Sequence, residues 1–283
     1  MAKFSLLIGL LALLVQPVRA DVLVLVHGYM ADASSWDVNG VNQVLAANGW
    51  QPAGVLAAAP GVAPPPSAQP IATNRVYSVN LPAEAPLRVQ AMYLAAQLGV
   101  VRQWYPEERL IVAGHSAGGV VARMLVVGGN PYRIDTLVAI AAPNLGTARA
   151  AEGLDVVDFN PFFCPGPGLE FLKSVFGGAR YDYLKHSRGA LTDLLPAASG
   201  NLLAWLNQQP HADINYYAIV RGSPDAPGDS IVPAYSQDLN NVPALRGRVN
   251  TLYTMAGHGL NPQDGQLLAN LLLRPSTHPA SAN

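Results

Sequence analysis

Short apolar runs alternate with helical patterns along most of this 283-residue chain. The apolar runs have the length of strands and lie at Val22–Val26, Arg75–Val79, Leu110–Ala113, Thr136–Ile140, Tyr216–Val220 and Val249–Tyr253. Segments with helical periodicity lie between them, at Trp36–Asn48, Ala85–Trp104, Ala117–Val127, Asn201–Gln208 and Gln263–Leu273. Because parallel strands need crossover connections, this alternation predicts an α/β fold with a mostly parallel, open sheet and helices on both faces.

The charged residues are few and balanced in sign. Only 12% of the residues are charged, and 17 Lys and Arg stand against 18 Asp and Glu. High apolar content with low net charge excludes intrinsic disorder. The lack of a basic excess argues against a nucleic-acid partner. A single cysteine excludes a disulfide framework and a cysteine-rich metal site.

Residues 1–20 are predicted to be a secretory signal peptide rather than part of the fold. They combine Lys3, an apolar run from Phe4 to Val15 and a small-x-small site ending at Ala20. This run is shorter than the roughly 20 residues that cross a bilayer, although an uncut N-terminal membrane anchor is the alternative. We therefore expect cleavage after Ala20, a secreted or periplasmic protein, and a single domain over residues 21–283.

One interval, residues 145–200, breaks the alternation. Its centre is rich in Phe, Gly and Pro, from Phe159 to Gly168. Aromatic residues in irregular chain between two core strands indicate either an inserted cap or lid, or a satellite hydrophobic cluster under a long loop. A surface loop rich in Ala and Pro is predicted at Ala57–Asn74, and the tail at residues 274–283 is expected to be frayed.

The segment Gly114-His115-Ser116-Ala117-Gly118 lies between a predicted strand and a predicted helix. A Gly-x-Ser-x-Gly turn in that position is so tight that its flanking positions tolerate only glycine, and it exposes the serine hydroxyl above the sheet. The hydroxyl would then stand at a helix N-terminus, which favours developing negative charge. We therefore predict that Ser116 is a nucleophile.

A serine nucleophile needs a base, and the chain order expected for such a turn is Ser, then acid, then His. Of the histidines after Ser116, His258 follows the last strand and precedes the last helix, so it can reach back over the sheet edge. His186, in a charged stretch of the interval 145–200, is the next candidate. His211 lies in a linker and His278 in the polar tail.

The acid is expected in the loop after the strand Tyr216–Val220. That loop offers Asp225 and Asp229. Asp229 is preferred because the apolar Ile231 and Val232 that follow can anchor it inward, whereas Asp225 lies between Pro224 and Pro227 on a predicted surface turn. The alternative for either is a solvated loop carboxylate.

Acyl transfer also needs donors for an oxyanion. We predict the backbone N–H of Ala117, which follows the nucleophile, and that of Tyr29, which follows Gly28 at the end of the first strand. His27 and His115 are interpreted as structural histidines bonded to nearby backbone, because neither has the chain position of the base.

At these residues the sequence resembles the α/β-hydrolase superfamily, and within it the bacterial lipases and esterases. Val26-His27-Gly28 is similar to the His-Gly oxyanion motif, and Gly228–Pro233 to the acid loop Gly-Asp-Gly-x-Val-Pro. Ala142–Thr147 resembles the Pro-His-x-Gly-Thr segment of lipases, with Asn144 where many of them have His. Two further segments, Leu191–Pro196 and Leu203–Asn207, together resemble the stretch that follows the lid in lipases.

The resemblance implies hydrolysis of carboxylic esters, lipid or acyl esters among them, through an acyl-serine with a Ser116, Asp229 and His258 triad. It implies no organic cofactor, an apolar acyl pocket, and at most transient contact with a lipid interface. Cys164 alone cannot form the disulfide of some secreted lipases. No Asp closely follows His258 as in the calcium sites of some lipases, Asp264 being the nearest, so we predict no metal. The alternatives are an acyltransferase with the same triad, an amidase or peptidase, and a non-catalytic binding module.

Overall fold

The structure is a computed structural model that describes residues 20–56, 73–158, 183, 186–223, 225 and 227–272. Several sequence predictions fall outside these residues: the signal segment up to residue 19, most of the loop at 57–72, the Phe-rich centre of the interval 145–200, and the tail.

The described chain forms one seven-stranded sheet in which every pairing is parallel, with the strand order β2-β3-β1-β4-β5-β6-β7. The strands are β1 (Val22–Val26), β2 (Trp50–Leu56), β3 (Asn74–Val79), β4 (Leu110–His115), β5 (Ile134–Ile140), β6 (Asn215–Arg221) and β7 (Val249–Thr254). The predicted open α/β architecture is confirmed.

Strand β2 was missed by the sequence pattern. It contains Pro52 and Gly54, which disfavour strands, and it pairs only with β3, with an irregular register between these two residues. Its central residues are mostly exposed because it lies at the edge of the sheet. An exposed edge strand interrupted by Pro and Gly lacks the continuous apolar run on which the prediction rested.

The described α-helices lie in the connections between strands, except the last, which follows β7. They are α1 (Ser35–Val38), α2 (Val41–Ala47), α3 (Leu87–Trp104), α4 (Ala117–Met124), α5 (Ala148–Asp158), α6 (Arg188–Asp193), α7 (Leu202–Gln208), α8 (Ala234–Gln237) and α9 (Pro262–Leu272). The single helix predicted at Trp36–Asn48 is in fact two, because Gly40 between them takes a φ of 77°. None of the described helices is both long enough and apolar enough to cross a bilayer.

Strand β1 shows how the sheet is buried on both faces. Val22, Val24 and Val26 belong to the apolar cluster that includes residues of α3 and α4. Leu23 and Leu25 point to the opposite face, into the cluster that includes residues of α2 and α9. Fully burying one such side chain contributes about 1.5–3 kcal/mol, so both faces of the sheet stabilise the fold.

Parallel strands bring their carboxyl ends to the same edge of the sheet. The loops that follow β1, β4, β5, β6 and β7 therefore converge there. Ser116 follows β4, Asp229 follows β6 and His258 follows β7. The edge that collects these three residues is where a catalytic site is expected in such a sheet.

Helix α3 offers a test of the packing. Replacing Leu94, which is fully buried in the apolar cluster, by Ala is expected to lower the free energy of unfolding by about 2–5 kcal/mol, since it leaves a cavity. Met92 on the same helix is exposed, and Met92→Ala is expected to change it by less than about 0.5 kcal/mol. Urea unfolding measures both. Equal effects of the two substitutions would contradict the packing described for α3.

Candidate active site

Ser116 lies in the turn between β4 and α4 in a backbone conformation that non-glycine residues rarely adopt. Its φ is 51° and its ψ is −128°. Such conformations cost about 1–3 kcal/mol and persist only where the surroundings hold them. Here the Ser116 N–H donates to the Ile140 carbonyl on β5 at 2.8 Å, and the Ser116 carbonyl accepts from Gly119 at 2.9 Å. The strained turn is thus held from both of its ends.

The turn requires glycine because it touches neighbouring backbone. A Cβ at Gly118 would lie 2.2 Å from the His27 carbonyl oxygen, at the end of β1. A Cβ at Gly28 would lie 2.9 Å from the Ser116 Cβ. The loop after β1 therefore packs directly against the serine, and the requirement for glycine at Gly118 in the Gly-x-Ser-x-Gly segment is steric, as predicted.

The three residues predicted to form a triad are joined by hydrogen bonds. The His258 Nε2 lies 3.0 Å from the Ser116 Oγ, and the His258 Nδ1 lies 2.9 Å from the Asp229 Oδ2. Ser116 and His258 are 142 residues apart in the chain. With the Nδ1–H donating to the carboxylate, Nε2 is the acceptor for the serine hydroxyl, which is the arrangement of a nucleophile, a base and an orienting acid.

The carboxylate of Asp229 is buried and richly hydrogen-bonded, with its side chain only 1% exposed. Its Oδ1 accepts from the backbone N–H groups of Ile231 and Val232, both at 2.7 Å. Burial by itself would raise the pKa of this carboxyl, but the hydrogen bond and charge of His258 and these two N–H groups outweigh it and lower the pKa. Asp229 is therefore held ionised beside the imidazole.

The other candidates do not approach this arrangement. Asp225 and His186 are both exposed, and the ring of His211 hydrogen-bonds to the Gln209 carbonyl through Nδ1. His278 lies outside the described residues. Of the acid and base candidates that the structure describes, Asp229 and His258 are the pair hydrogen-bonded to each other and, through His258, to Ser116.

His27 is bonded to backbone at both ring nitrogens, as expected of a structural histidine. Its Nδ1 lies 2.9 Å from the Gly28 carbonyl oxygen, and its Nε2 accepts from the Leu81 N–H at 3.0 Å. Burial lowers the pKa of the ring. The neutral histidine therefore ties the loop after β1 to the loop after β3.

His115 is also bonded to backbone, but to a more distant group than the sequence suggested. Its Nε2–H donates to the carbonyl oxygen of His258 at 2.8 Å, and the two rings lie 5.3 Å apart between centroids. Burial is the main cause that lowers the pKa of His115 to about 3, and the nearby His258 ring adds to it. The neutral ring of His115 thus holds the backbone of the loop that carries His258.

Two polar residues near the site, Arg221 and Gln237, were not singled out from the sequence, and Asp264 was considered there only in connection with a metal. Gln237 donates to the Asp229 Oδ2 at 3.0 Å and to the Val232 carbonyl at 2.7 Å. Arg221 and Asp264 form an ion pair with both side chains fully buried. The signal available in the sequence was an arginine at the end of an otherwise apolar strand, β6.

Both predicted oxyanion donors belong to backbone next to Ser116. Ala117 is the first residue of α4, and Tyr29 follows the glycine that touches the Ser116 Cβ. Among the residues that the structure describes, no group of three or more His, Cys, Asp or Glu is arranged to hold a metal ion. Both oxygens of Asp264 are engaged by Arg221.

Comparison with protein families places this geometry in context. A model of the alpha/beta hydrolase family matches residues 23–271, which is most of the chain. The comparison with curated proteins found no match.

Several solved structures share the fold at low sequence identity. The mature lipase BlEst2 of Bacillus licheniformis is 14% identical with a TM-score of 0.58, over 92% of this chain and 94% of that one. A gene product of Listeria innocua is 16% identical with a TM-score of 0.57, over 93% and 97% of the two chains. A hydrolase from Pseudomonas aeruginosa is 17% identical with a TM-score of 0.52, over 90% and 89%. At these identities the likeness shows the fold alone.

The contact at Gly118 can be tested by adding one methyl group. Gly118→Ala is expected to destabilise the protein by about 1–3 kcal/mol or more, because the new Cβ would collide with the His27 carbonyl. Gly99→Ala, in open space on α3, is the matched control and is expected to stabilise by about 0.5–1 kcal/mol. Chemical unfolding of both variants makes the comparison, and a neutral Gly118→Ala would contradict the contact.

The burial of His115 predicts an acid-sensitive stability. Since its pKa falls from 6.5 to about 3 on folding, the unfolded chain binds a proton between these pH values that the folded protein does not. The contribution of the neutral His115 to the free energy of unfolding is therefore fully present above pH 6.5 and is lost as the pH falls toward 3. His115→Gln is expected to make the fall in unfolding free energy shallower by up to about 1.4 kcal/mol per pH unit. Urea unfolding of both proteins from pH 7 to 4.5 measures this slope, and identical slopes would count against a neutral, buried His115.

Proposed function

The chain belongs to the alpha/beta hydrolase family, and from this premise we propose that it hydrolyses carboxylic esters through an acyl-serine intermediate. The observation that supports this most is the unbroken hydrogen-bond chain from the Ser116 Oγ through the His258 ring to the Asp229 carboxylate. A serine hydroxyl at its ordinary pKa is a weak nucleophile, and this chain supplies both the base and the group that orients the base.

In the first half of the proposed reaction the Ser116 Oγ attacks the ester carbonyl carbon. The hydroxyl proton passes to the His258 Nε2, which lies 3.0 Å away. The imidazolium that forms keeps its Nδ1–H on the ionised Asp229, so its positive charge is stabilised while the tetrahedral intermediate exists. His258 then gives the proton from Nε2 to the leaving alcohol oxygen as the acyl–oxygen bond breaks.

The negative charge on the tetrahedral oxygen needs donors that are already in position. We propose the backbone N–H groups of Ala117 and Tyr29. Support comes from the position of Ala117 at the start of α4, where the helix dipole favours an anion. It also comes from Gly28, which lets the loop that carries Tyr29 lie against Ser116.

In the second half of the proposed reaction water takes the place of the alcohol. The water oxygen attacks the carbonyl carbon of the acyl-serine while His258 accepts a proton from the water. His258 returns that proton to the Ser116 Oγ when the carboxylic acid leaves. The step needs no co-reactant other than water. Gln237 supports both halves, because it donates to the Asp229 Oδ2, the same oxygen that accepts from the His258 Nδ1, and so holds that oxygen in place.

We propose lipid or acyl esters as the substrate class, with no more than transient contact with a lipid interface. Exposed apolar side chains lie in the two loops that carry the acid and the base: Ile231 follows Asp229, and Met255 precedes His258. The apolar residues Tyr235 and Tyr253 are also exposed, one on the short helix after the acid and one on β7. These residues suit an ester with an apolar acyl chain better than a highly charged one.

The proposed triad is tested with p-nitrophenyl esters of graded acyl length. Ser116→Ala and His258→Ala are each expected to lower kcat by about 10³-fold or more, because the nucleophile and its base act as a unit. Matched controls are Ser199→Ala and His186→Ala at exposed positions, which should retain wild-type kcat. A comparison of soluble with emulsified tributyrin then separates esterase from lipase behaviour.

The same assay distinguishes the alternatives. Unchanged hydrolysis by Ser116→Ala would refute the acyl-serine mechanism. Loss of activity in His186→Ala with retention in His258→Ala would identify His186 as the base. Faster transfer of the acyl group to added glycerol than to water would identify an acyltransferase. Cleavage of amide but not ester substrates would identify an amidase, and no turnover of either by the wild type would favour a binding module.

A further inference from the structure

We propose that Arg221 and Asp264 form a positioning pair that sets the place of the His258 ring in the reaction. This inference rests on the proposed ester hydrolysis. The pair does not touch the reacting atoms; it acts through the loop at residues 255–261, which carries His258 between β7 and α9. We call this segment the histidine loop.

The histidine loop has little apolar packing of its own. Met255, Gly257 and Gly259 are exposed, whereas Leu260 is the buried apolar side chain of the segment. A loop with so few buried contacts is expected to move unless polar bonds hold it. A displacement of about 1 Å at a catalytic group can lower a rate by about 100-fold, so the polar bonds of this loop bear directly on His258.

Arg221 supplies several of those bonds from the end of β6. Its guanidinium donates to both oxygens of Asp264, from Nη1 to Oδ1 at 2.8 Å and from Nη2 to Oδ2 at 2.9 Å. The same group donates to the carbonyl of Gly259, next to His258, at 3.3 Å. It also donates to the Thr254 Oγ1, on the last residue of β7 just before the loop, at 3.0 Å.

Asp264 binds the carboxyl-terminal end of the loop. Its Oδ2 accepts from the Asn261 N–H at 2.9 Å, so the carboxylate joins the end of the histidine loop to the guanidinium. Together with the His115 bond to the His258 carbonyl, these bonds hold the loop at His258, Gly259 and Asn261, and hold Thr254 just before it. The two bonds between Arg221 and Asp264, at 2.8 and 2.9 Å, have the length expected of a bidentate arginine–carboxylate pair.

Arg221 also reaches the acid. Its backbone N–H donates to the Gln237 Oε1 at 2.8 Å, and the Gln237 amide nitrogen donates to the Asp229 Oδ2 at 3.0 Å. One residue at the end of β6 thus supports both partners of the His258–Asp229 bond. The expected result is a fixed distance between the acid and the base.

The pair is tested by changing it conservatively. Asp264→Asn keeps the size of the side chain and removes its charge, and Arg221→Lys keeps a charge but loses the planar fork. Each is expected to lower kcat for p-nitrophenyl butyrate by about 10–100-fold and to change KM by less than about threefold, since the pair positions the base and does not contact substrate. Arg221→Lys serves where Asp264→Asn does not fold, and near-UV circular dichroism checks that each variant is native.

The matched controls lie at the amino ends of the strands, opposite the end that carries the site. Arg109 donates to Asp21 at 2.6 Å in a partly buried pair before β4. Arg109→Lys and Asp21→Asn are the same substitutions in a pair with no bond to the histidine loop. Both are expected to retain wild-type kcat and KM even where they lower the melting temperature.

A double-mutant cycle with His258→Ala separates an effect on the position of His258 from an effect on the rest of the site. In the His258→Ala background, Asp264→Asn and Arg221→Lys are expected to lower the residual kcat by less than about twofold, since the group on which they act is gone. Equal losses in both backgrounds, or wild-type kcat in both single variants, would overturn the inference. If Ser116→Ala hydrolyses the ester as fast as wild type, the proposed function fails, and the inference fails with it.

Discussion

The contact between the turn at Ser116 and the end of β1 is the constraint on which the site depends. Gly118 leaves no room for a side chain against the His27 carbonyl, and Gly28 leaves almost none against Ser116. These contacts exist because β1 and β4 are adjacent and parallel in the middle of the sheet. The sheet therefore determines where the serine stands, and the loops after β6 and β7 have to come to it.

The two loops that come to Ser116 are held by polar groups in addition to the buried side chains of Val232 and Leu260. Asp229 is fixed by N–H groups of its own loop and by Gln237, while the loop of His258 is fixed by His115, Arg221 and Asp264. Such bonds are strong when they are buried and satisfied, and they are costly to break because an unpaired polar group remains behind. The apolar core stabilises the sheet, whereas this polar network fixes the positions of the loops that carry Asp229 and His258.

The sequence predicted the parts that local pattern encodes. The apolar runs predicted six strands of the parallel sheet, and the Gly-x-Ser-x-Gly segment together with chain order predicted which serine, aspartate and histidine would meet. Strand β2 was missed because Pro52 and Gly54 remove the strand signal at an exposed edge. The bonds of Arg221 to Asp264 and of His115 to the His258 carbonyl could not be predicted, because they join residues 43 and 143 positions apart and no local pattern marks them.

The positive φ of Ser116 also has a consequence for what the turn needs around it. An isolated turn does not keep a serine in that conformation, so the turn needs β1 and β5 on either side of β4 and the loop from β7 above it. Contacts between residues so distant in the chain close long loops, and each closure costs conformational entropy. The conformation of Ser116 is therefore a property of the assembled sheet and its loops, and the turn sequence alone does not secure it.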